Sequence, residues 1–263
     1  MESDNIETPF PNVAISIVSH RQAQLLPALL ADLAALTMEA KLTVFLTLNV
    51  PEVMPFDVCD FSFSLRIIRN ASRKGFGANH NTAFALAISS GHIDYFCVVN
   101  PDIRIIASDF FSRMLENTRS FPNCGVVAPI VKNASLEIED HARRLPTPLL
   151  LARKVFGFKE PSCSENPDWV AGMFMLFPKE VFARVNGFDE KFFLYYEDVD
   201  LCCRLRLAGY RIIVEPHAVV IHDARRASHR RPYYFYRHLA SVTRFFLSRV
   251  YFKCRRIARV SLD

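Results

Sequence analysis

Val13-Ala-Ile-Ser-Ile-Val-Ser19 is short, apolar and largely β-branched, and reads as a buried strand. Leu25, Leu29, Leu33 and Leu36 follow it at helical spacing, so residues 22–36 read as a helix. Leu42–Leu48 (LTVFLTL) is a second strand, ended by Asn49 and Pro51, and residues 65–69 are a short third. Residues 78–90 read as a helix stopped by Gly91, and Tyr95–Val99 (YFCVV) is a fourth strand, broken by Asn100-Pro101-Asp102. Strands alternating with helices over the first 120 residues argue for an α/β protein with a mostly parallel, Rossmann-like sheet covered on both faces.

Farther along, the pattern loosens. Residues 124–131 and 169–177 each read as a strand, and 211–214 and 218–221 as short strands around Pro216. Residues 199–208 read as a helix, and 233–256 as one long helix. The stretch 134–167 is interrupted by prolines and shows no sustained period. No repeat or linker separates two folding units. The expectation is one domain over residues 1–231 with a helical appendage over 232–263.

Composition narrows the class. The chain has 263 residues, 51% of them hydrophobic, with 22% charged and 8 Gly, which excludes disordered, collagenous and disulfide-scaffold proteins. The 7 cysteines are odd in number and no two are separated by two residues, so buried reduced thiols are expected rather than a zinc or redox framework. The polar, acidic start is unlike a secretory signal, and the apolar runs fall short of the ~20 residues that span a bilayer. A cytoplasmic protein is expected. From His222 onward there are 11 Lys/Arg and 2 Asp, against 21 Lys/Arg and 25 Asp/Glu before it, so the basic character belongs to the tail.

Three places could carry chemistry. Asp102 follows the fourth strand on a proline-fixed turn, at the carboxyl edge where open sheets bind ligands, and a carboxylate there can hold a divalent cation against a diphosphate. In Lys74-Gly-Phe-Gly-Ala-Asn-His-Asn81, Gly75 and Gly77 permit close backbone approach and the following helix offers N–H groups to an anion, although no Walker or full dinucleotide pattern is present. Phe188–Asp200 (FDEKFFLYYEDVD) packs five carboxylates among aromatics within 12 residues. Aromatic packing desolvates a carboxylate and raises its pKa, as a general base requires, and Glu197 and Asp198 fall in a first helical turn. A plain acidic turn complementing the helix dipole is the alternative.

Taken together, VAISIVS, KGFGANHN, VVNPDI, the segment Asp168–Ile212 and VIHDARRAS resemble the inverting family-2 glycosyltransferases of GT-A fold, most of all a rhamnosyltransferase-like branch that builds bacterial surface polysaccharides. Order and spacing match over residues 13–228. The resemblance implies a nucleotide-diphosphate-sugar donor over the first half of the sheet, with dTDP-rhamnose ahead of a UDP-sugar, and a glycan or lipid-linked acceptor. It makes Asp198 the general base, with Glu197 beside it, and Asp102 a Mg²⁺ or Mn²⁺ ligand completed by His222. Asn100 stands where the family's metal motif carries its first Asp, which removes a charge. The donor would be bound by Ser19, Asn49, Lys74, Gly75, Phe76, Asn79, Asn100, Asp102, Trp169 and Gly172. Ser19-His20 and Leu48-Asn49 depart from the family's usual Tyr-Asn and Asp-Asn pairs, which leaves the donor base open between thymidine and uridine.

Two other readings compete. A sugar nucleotidyltransferase would need a basic, Gly-rich loop near the first strand, of which Ser19-His20-Arg21 is a poor version. A non-catalytic nucleotide-sugar-binding subunit would fit Asn100 and Asn49 but not the intact Asp102, Glu197 and Asp198. In the tail, Phe235, Leu239, Val242, Phe246 and Val250 form one helical stripe with Arg237, Arg244 and Arg255 nearly opposite. That stripe suits an anionic membrane at the inner face, or packing on the domain or on a second subunit of a homodimer. The acidic body argues against nucleic acid.

Overall fold

The computed structural model describes residues 10–36, 39–155, 158, 165–222 and 232–260. Cys163 and the Asp223–Ser228 part of VIHDARRAS lie outside them. Four parallel strands open the chain: β1 (Asn12–Ser19), β2 (Lys41–Leu48), β3 (Ser64–Arg69) and β4 (Tyr95–Val99). They continue into β5 (Ile103–Ile105) and β6 (Cys124–Lys132), then β9 (Phe174–Pro178) and β10 (Arg211–His222), in the order β3-β2-β1-β4-β9-β6-β10-β5. β9 runs antiparallel to both its neighbours and β5 antiparallel to β10, while β6 and β10 are parallel. β7 (Ala142–Arg143) and β8 (Trp169–Val170) form a separate ladder.

Side-chain alternation divides the core in two. Val13, Ile15 and Ile17 of β1 face α1 (Leu26–Ala35) and α3 (Phe110–Ser120), joined by Leu29, Leu33, Phe110 and Met114. Ala14 and Ser16 face the opposite side, covered by α2 (Phe76–Ser90), α5 (Lys179–Arg184) and α6 (Glu197–Leu207). There the Ser16 hydroxyl meets His80 Nδ1 at 2.7 Å inside a cage of Phe76 and Phe188. Burial with no charge nearby lowers His80 to about 3, so the ring is neutral. The α/β expectation, with helices on both faces of a mostly parallel sheet, is met.

Four local expectations change. Residues 169–177 are not one strand: Ala171 N–H bonds to His141 O, tying β8 to β7, whereas Phe174 onward pairs with β4, so the run splits at Gly172 between two sheets. The two strands expected around Pro216 are one strand, β10, in which Pro216, His217 and Ala218 are extra: Glu215 pairs with Pro129 and Val219 already with Ile130. The stretch 134–167 holds a helix after all, α4 (Pro148–Val155). Finally, the tail is two helices, α7 (Pro232–Phe246) and α8 (Arg249–Val260), broken at Leu247-Ser248.

Nor is the tail an appendage. Phe245, Tyr251 and Cys254 are buried in the second core, with Val242, Phe246 and Val250 packed beside them. The stripe expected from the sequence is cut within α7 itself: Val242 and Phe246 reach the core, while Phe235 and Leu239 stay 67% and 51% exposed. Arg237 and Arg73 both stack on Phe193 and Tyr233, with guanidinium-to-ring distances of 4.3–5.1 Å, so α7 also braces the loop before α2. Among the described cysteines Cys59 alone is exposed; the other five are buried and none forms a disulfide.

Candidate active site

The carboxyl ends of β1, β2 and β4 converge on one edge. Asn49 N–H donates to Ser19 O (2.9 Å), and the Asn49 amide holds both Lys74 N–H (2.9 Å) and Lys74 O (3.0 Å). Asn70 links Asn49 Oδ1 to Asn79 Oδ1, and the Asn79 amide donates to Gly75 O. Asn49, Asn79 and Ser19 are buried, so this asparagine chain shapes the loop from beneath, and Lys74 and Phe76 are what it presents. The glycines serve packing. A Cβ on Gly75 would lie 2.7 Å from Phe193 O, and one on Gly77 would lie 2.5 Å from the Phe188 Cβ. Phe76 N–H, at the head of α2, already donates to Phe193 O at 2.9 Å.

Asp198 is the centre of the second cluster. Tyr195 and Tyr196 have φ of 70° and 68°, an uncommon conformation for bulky residues, and they turn the chain sharply into α6. Immediately after this turn the two carboxylates diverge. Glu197 is 5% exposed, with Oε2 lacking a hydrogen-bond partner. Asp198 is only partly covered and accepts from Gly172 N–H (3.0 Å) and Val199 N–H (2.8 Å). Burial raises both pKa values. For Glu197 the neighbouring Asp198 charge adds to the rise, whereas for Asp198 the two N–H groups and Arg143 oppose it. Glu197 is thus pushed well above the ordinary carboxylate range, whereas the rise of Asp198 is held back by the groups around it. Gly172 packs closely on Phe76: a Cβ there would lie 3.1 Å from the ring. Trp169 forms a wall, its indole N–H donating to Arg144 O (3.0 Å) and its ring covered by Arg143 at 5.0 Å.

The third cluster is built by strand pairing. The antiparallel register sets His222 opposite Ile103, the residue after Asp102. His222 Nε2 thus lies 3.3 Å from Asp102 Oδ2, while its Nδ1 lies 2.8 Å from Glu139 Oε2. Burial disfavours the imidazolium, but the two carboxylates outweigh it and raise His222 to about 9. Asp102 Oδ1 is buried with no hydrogen-bond partner. An unpartnered carboxylate oxygen beside an imidazole fits a divalent cation whose other ligands are diphosphate and water. Among the described residues no group of three or more ligating side chains stands ready, so the protein would supply two. Asn100 contributes through its backbone, donating to Met173 O (2.9 Å), which joins this corner to the Gly172 turn.

The sequence analysis missed Arg143, Glu139 and the left-handed tyrosine pair. Arg143 and Glu139 sit in the aperiodic stretch, where neither spacing nor composition marks them. No helix among the described residues is long and apolar enough to cross a membrane.

The chain is similar in sequence and in fold to known glycosyltransferases. The family described as the N-terminal domain of galactosyltransferase matches residues 155–234. Rhamnosyltransferase WbbL of Escherichia coli is 31% identical over 227 residues, covering 81% of this chain and 83% of its own. The N-acetylglucosaminyl-diphospho-decaprenol L-rhamnosyltransferase of Mycobacterium tuberculosis is 25% identical over 193 residues, which is 62% of its length. Among solved structures, a mannosyltransferase from Pyrobaculum calidifontis in complex with GDP-Man and Mn²⁺ superposes with a TM-score of 0.56 at 16% identity, over 84% of this chain and 59% of that one. TarS of S. aureus superposes at 0.58 with 11% identity, over 90% and 40%.

Proposed function

The chain belongs to the glycosyltransferases of GT-A fold, in their rhamnosyltransferase-like branch, and is an enzyme of sugar transfer in polysaccharide synthesis; from that premise we propose that it inverts the transferred sugar, with Asp198 as general base. The observation that carries this reading is the divergence of the acidic pair. Asp198, held by the N–H of Gly172, is left partly open, while Glu197 is sealed in the core. A single accessible carboxylate suits a single displacement. The acceptor oxygen attacks the anomeric carbon, the bond from that carbon to the diphosphate oxygen breaks on the opposite face, and the acceptor proton passes to the Asp198 carboxylate. The N–H groups of Gly172 and Val199, and after them Arg143, favour the ionised form of Asp198 against its burial, and Trp169 and Phe76 wall the sugar from water.

Asp102 and His222 would hold Mg²⁺ or Mn²⁺, which when bound offsets the charge growing on the leaving diphosphate. The donor that suits the family is dTDP-rhamnose, with a UDP-sugar second. It would lie along the loop presented by Asn49 and Asn79, against Lys74 and Phe76. The acceptor is a glycan or lipid-linked glycan. For the tail we propose a peripheral place on an anionic bilayer, supported by the apolar Phe235, Leu239, Leu247 and Phe252, each more than half exposed, with Arg244, Arg249, Lys253 and Arg256 on the same two helices.

The test uses a panel of nucleotide sugars in a thermal-shift assay with and without Mn²⁺, followed by NMR of the product formed from the stabilising donor. A bound donor should raise Tm by mass action, more so with metal. The product's anomeric configuration should be opposite to the donor's. Retained configuration would overturn the single displacement, and equal stabilisation with and without metal would remove the cation from Asp102.

A further inference from the structure

Glu139 belongs to none of the motifs that mark the site, yet it touches the far nitrogen of His222. Its position is determined by the sheet. β6 and β10 are neighbours, with Lys132 opposite Ile221, and the chain leaving β6 folds straight back. Asn133 Oδ1 accepts from Ser135 N–H (2.9 Å) and Glu137 N–H (3.0 Å), closing the turn. Glu139 N–H then donates to Val131 O at 2.8 Å, and His141 lies against Glu139 O at 2.7 Å. The carboxylate is delivered to the outer side of the His222 ring, and Asp102 lies on the inner side.

A ring nitrogen can bind a cation only through a free lone pair, and the bond made by the other nitrogen decides which one is free. A carboxylate accepts and never donates, so Glu139 Oε2 at 2.8 Å requires the proton on Nδ1. Nε2, at the longer distance of 3.3 Å from Asp102 Oδ2, is the nitrogen left to give up its proton to a cation held there. We propose that Glu139 is a positioning residue of the cation site, fixing the ring and tautomer of His222 so that Nε2 and the Asp102 carboxylate address one cation together. The inference rests on the cation reading of Asp102 and His222. It also gives the start of the aperiodic stretch a role at the Asp102–His222 corner.

The test is Mn²⁺ binding followed by electron paramagnetic resonance of the free ion, with dTDP or UDP present, in wild type, Glu139→Ala, Glu139→Gln, His222→Ala and the Glu139→Ala/His222→Ala double variant. Loss of such a hydrogen-bond partner typically costs about 10–100-fold in metal affinity, which is the fall expected for Glu139→Ala. Glu139→Gln keeps an acceptor oxygen and should lie between. In the His222→Ala background, Glu139→Ala should change nothing further, because the residue acts only through the ring. A merely structural Glu139, or one that ligates directly, would weaken binding in both backgrounds, and additive losses overturn the proposal. Equal Mn²⁺ affinity in wild type and Glu139→Ala overturns it while sparing the cation reading. No Mn²⁺ binding by the wild type, with either nucleotide, overturns both.

Discussion

Replacing Asp198 by Asn separates chemistry from structure at the proposed base. The side chain keeps its shape but exchanges one of two acceptor oxygens for an NH₂ group. In the wild type both oxygens are used, one by Gly172 N–H at 3.0 Å and the other by Val199 N–H at 2.8 Å. Asparagine can satisfy one of these donors and leaves the other facing its own NH₂. An unmet donor of this kind costs about 1–3 kcal/mol. The expected loss is about 1–3 kcal/mol, or a few degrees in Tm for a chain of this size. Losing a general base costs roughly 10²–10⁴ in turnover, about 2.7–5.5 kcal/mol of transition-state stabilisation. The catalytic loss is thus larger than the structural one and falls in a different quantity. kcat should collapse while the donor Kd, measured by calorimetry, stays within a few-fold of wild type. Turnover within threefold of wild type would refute the assignment, as would a fall in donor affinity large enough to account for the rate.

Glu197→Gln tests the other half of the pair. Glu197's native pKa is raised above its ordinary 4.5, so the native state holds a proton that the unfolded chain releases, and stability should decline as pH climbs from 4.5 toward the native value. The Gln variant should lack that decline in a series of Tm measurements across pH, while turnover drops far less than in Asp198→Asn; an unchanged slope would mean that Glu197 is ionised in the fold. In wild-type pH–rate profiles the acid limb should lie above the ordinary aspartate value of 3.8, since Asp198 must be unprotonated to act. In the tail, Phe245→Ala empties a buried site and should cost about 3–5 kcal/mol. Leu239→Ser with Leu247→Ser should leave Tm within a degree or two and weaken flotation with anionic vesicles by tenfold or more. If the pair instead dissociates a dimer, the exposed face meets a second subunit.

The first half of the fold was readable because its strands are short β-branched runs separated by long helical patterns, and strands that pair in parallel with their neighbours need little else to declare themselves. The second half was not, for a definite reason. Trp169–Phe177 is continuously apolar because both parts of it are buried, although in different sheets, and periodicity cannot register a change of partner. Around Glu197-Asp198, the burial that raises both pKa values was legible from the aromatic surroundings, but the unequal burial of the two carboxylates follows a turn through two left-handed tyrosines that leave no pattern. Gly75 and Gly77 were correctly singled out as close-approach positions, yet the approaching group is the chain's own 188–193 segment. Asn49 and Asn79 were read as ligands for the donor, whereas their amides are spent on one another's loop.

Pro216, His217 and Ala218 have no counterparts on β6, and their number matters more than their chemistry. Side chains on a strand alternate between faces, so an odd insertion reverses the alternation beyond it. Ile213 faces the first core before the three extra residues and Val220 faces it after them, so the parity changes across the insertion. Beyond it Val219–Ile221 pair with β6, and His222 comes to lie opposite Ile103, next to Asp102. Anyone transplanting the Asp102–His222 corner onto another scaffold should carry these three residues with it, although none of them builds the corner.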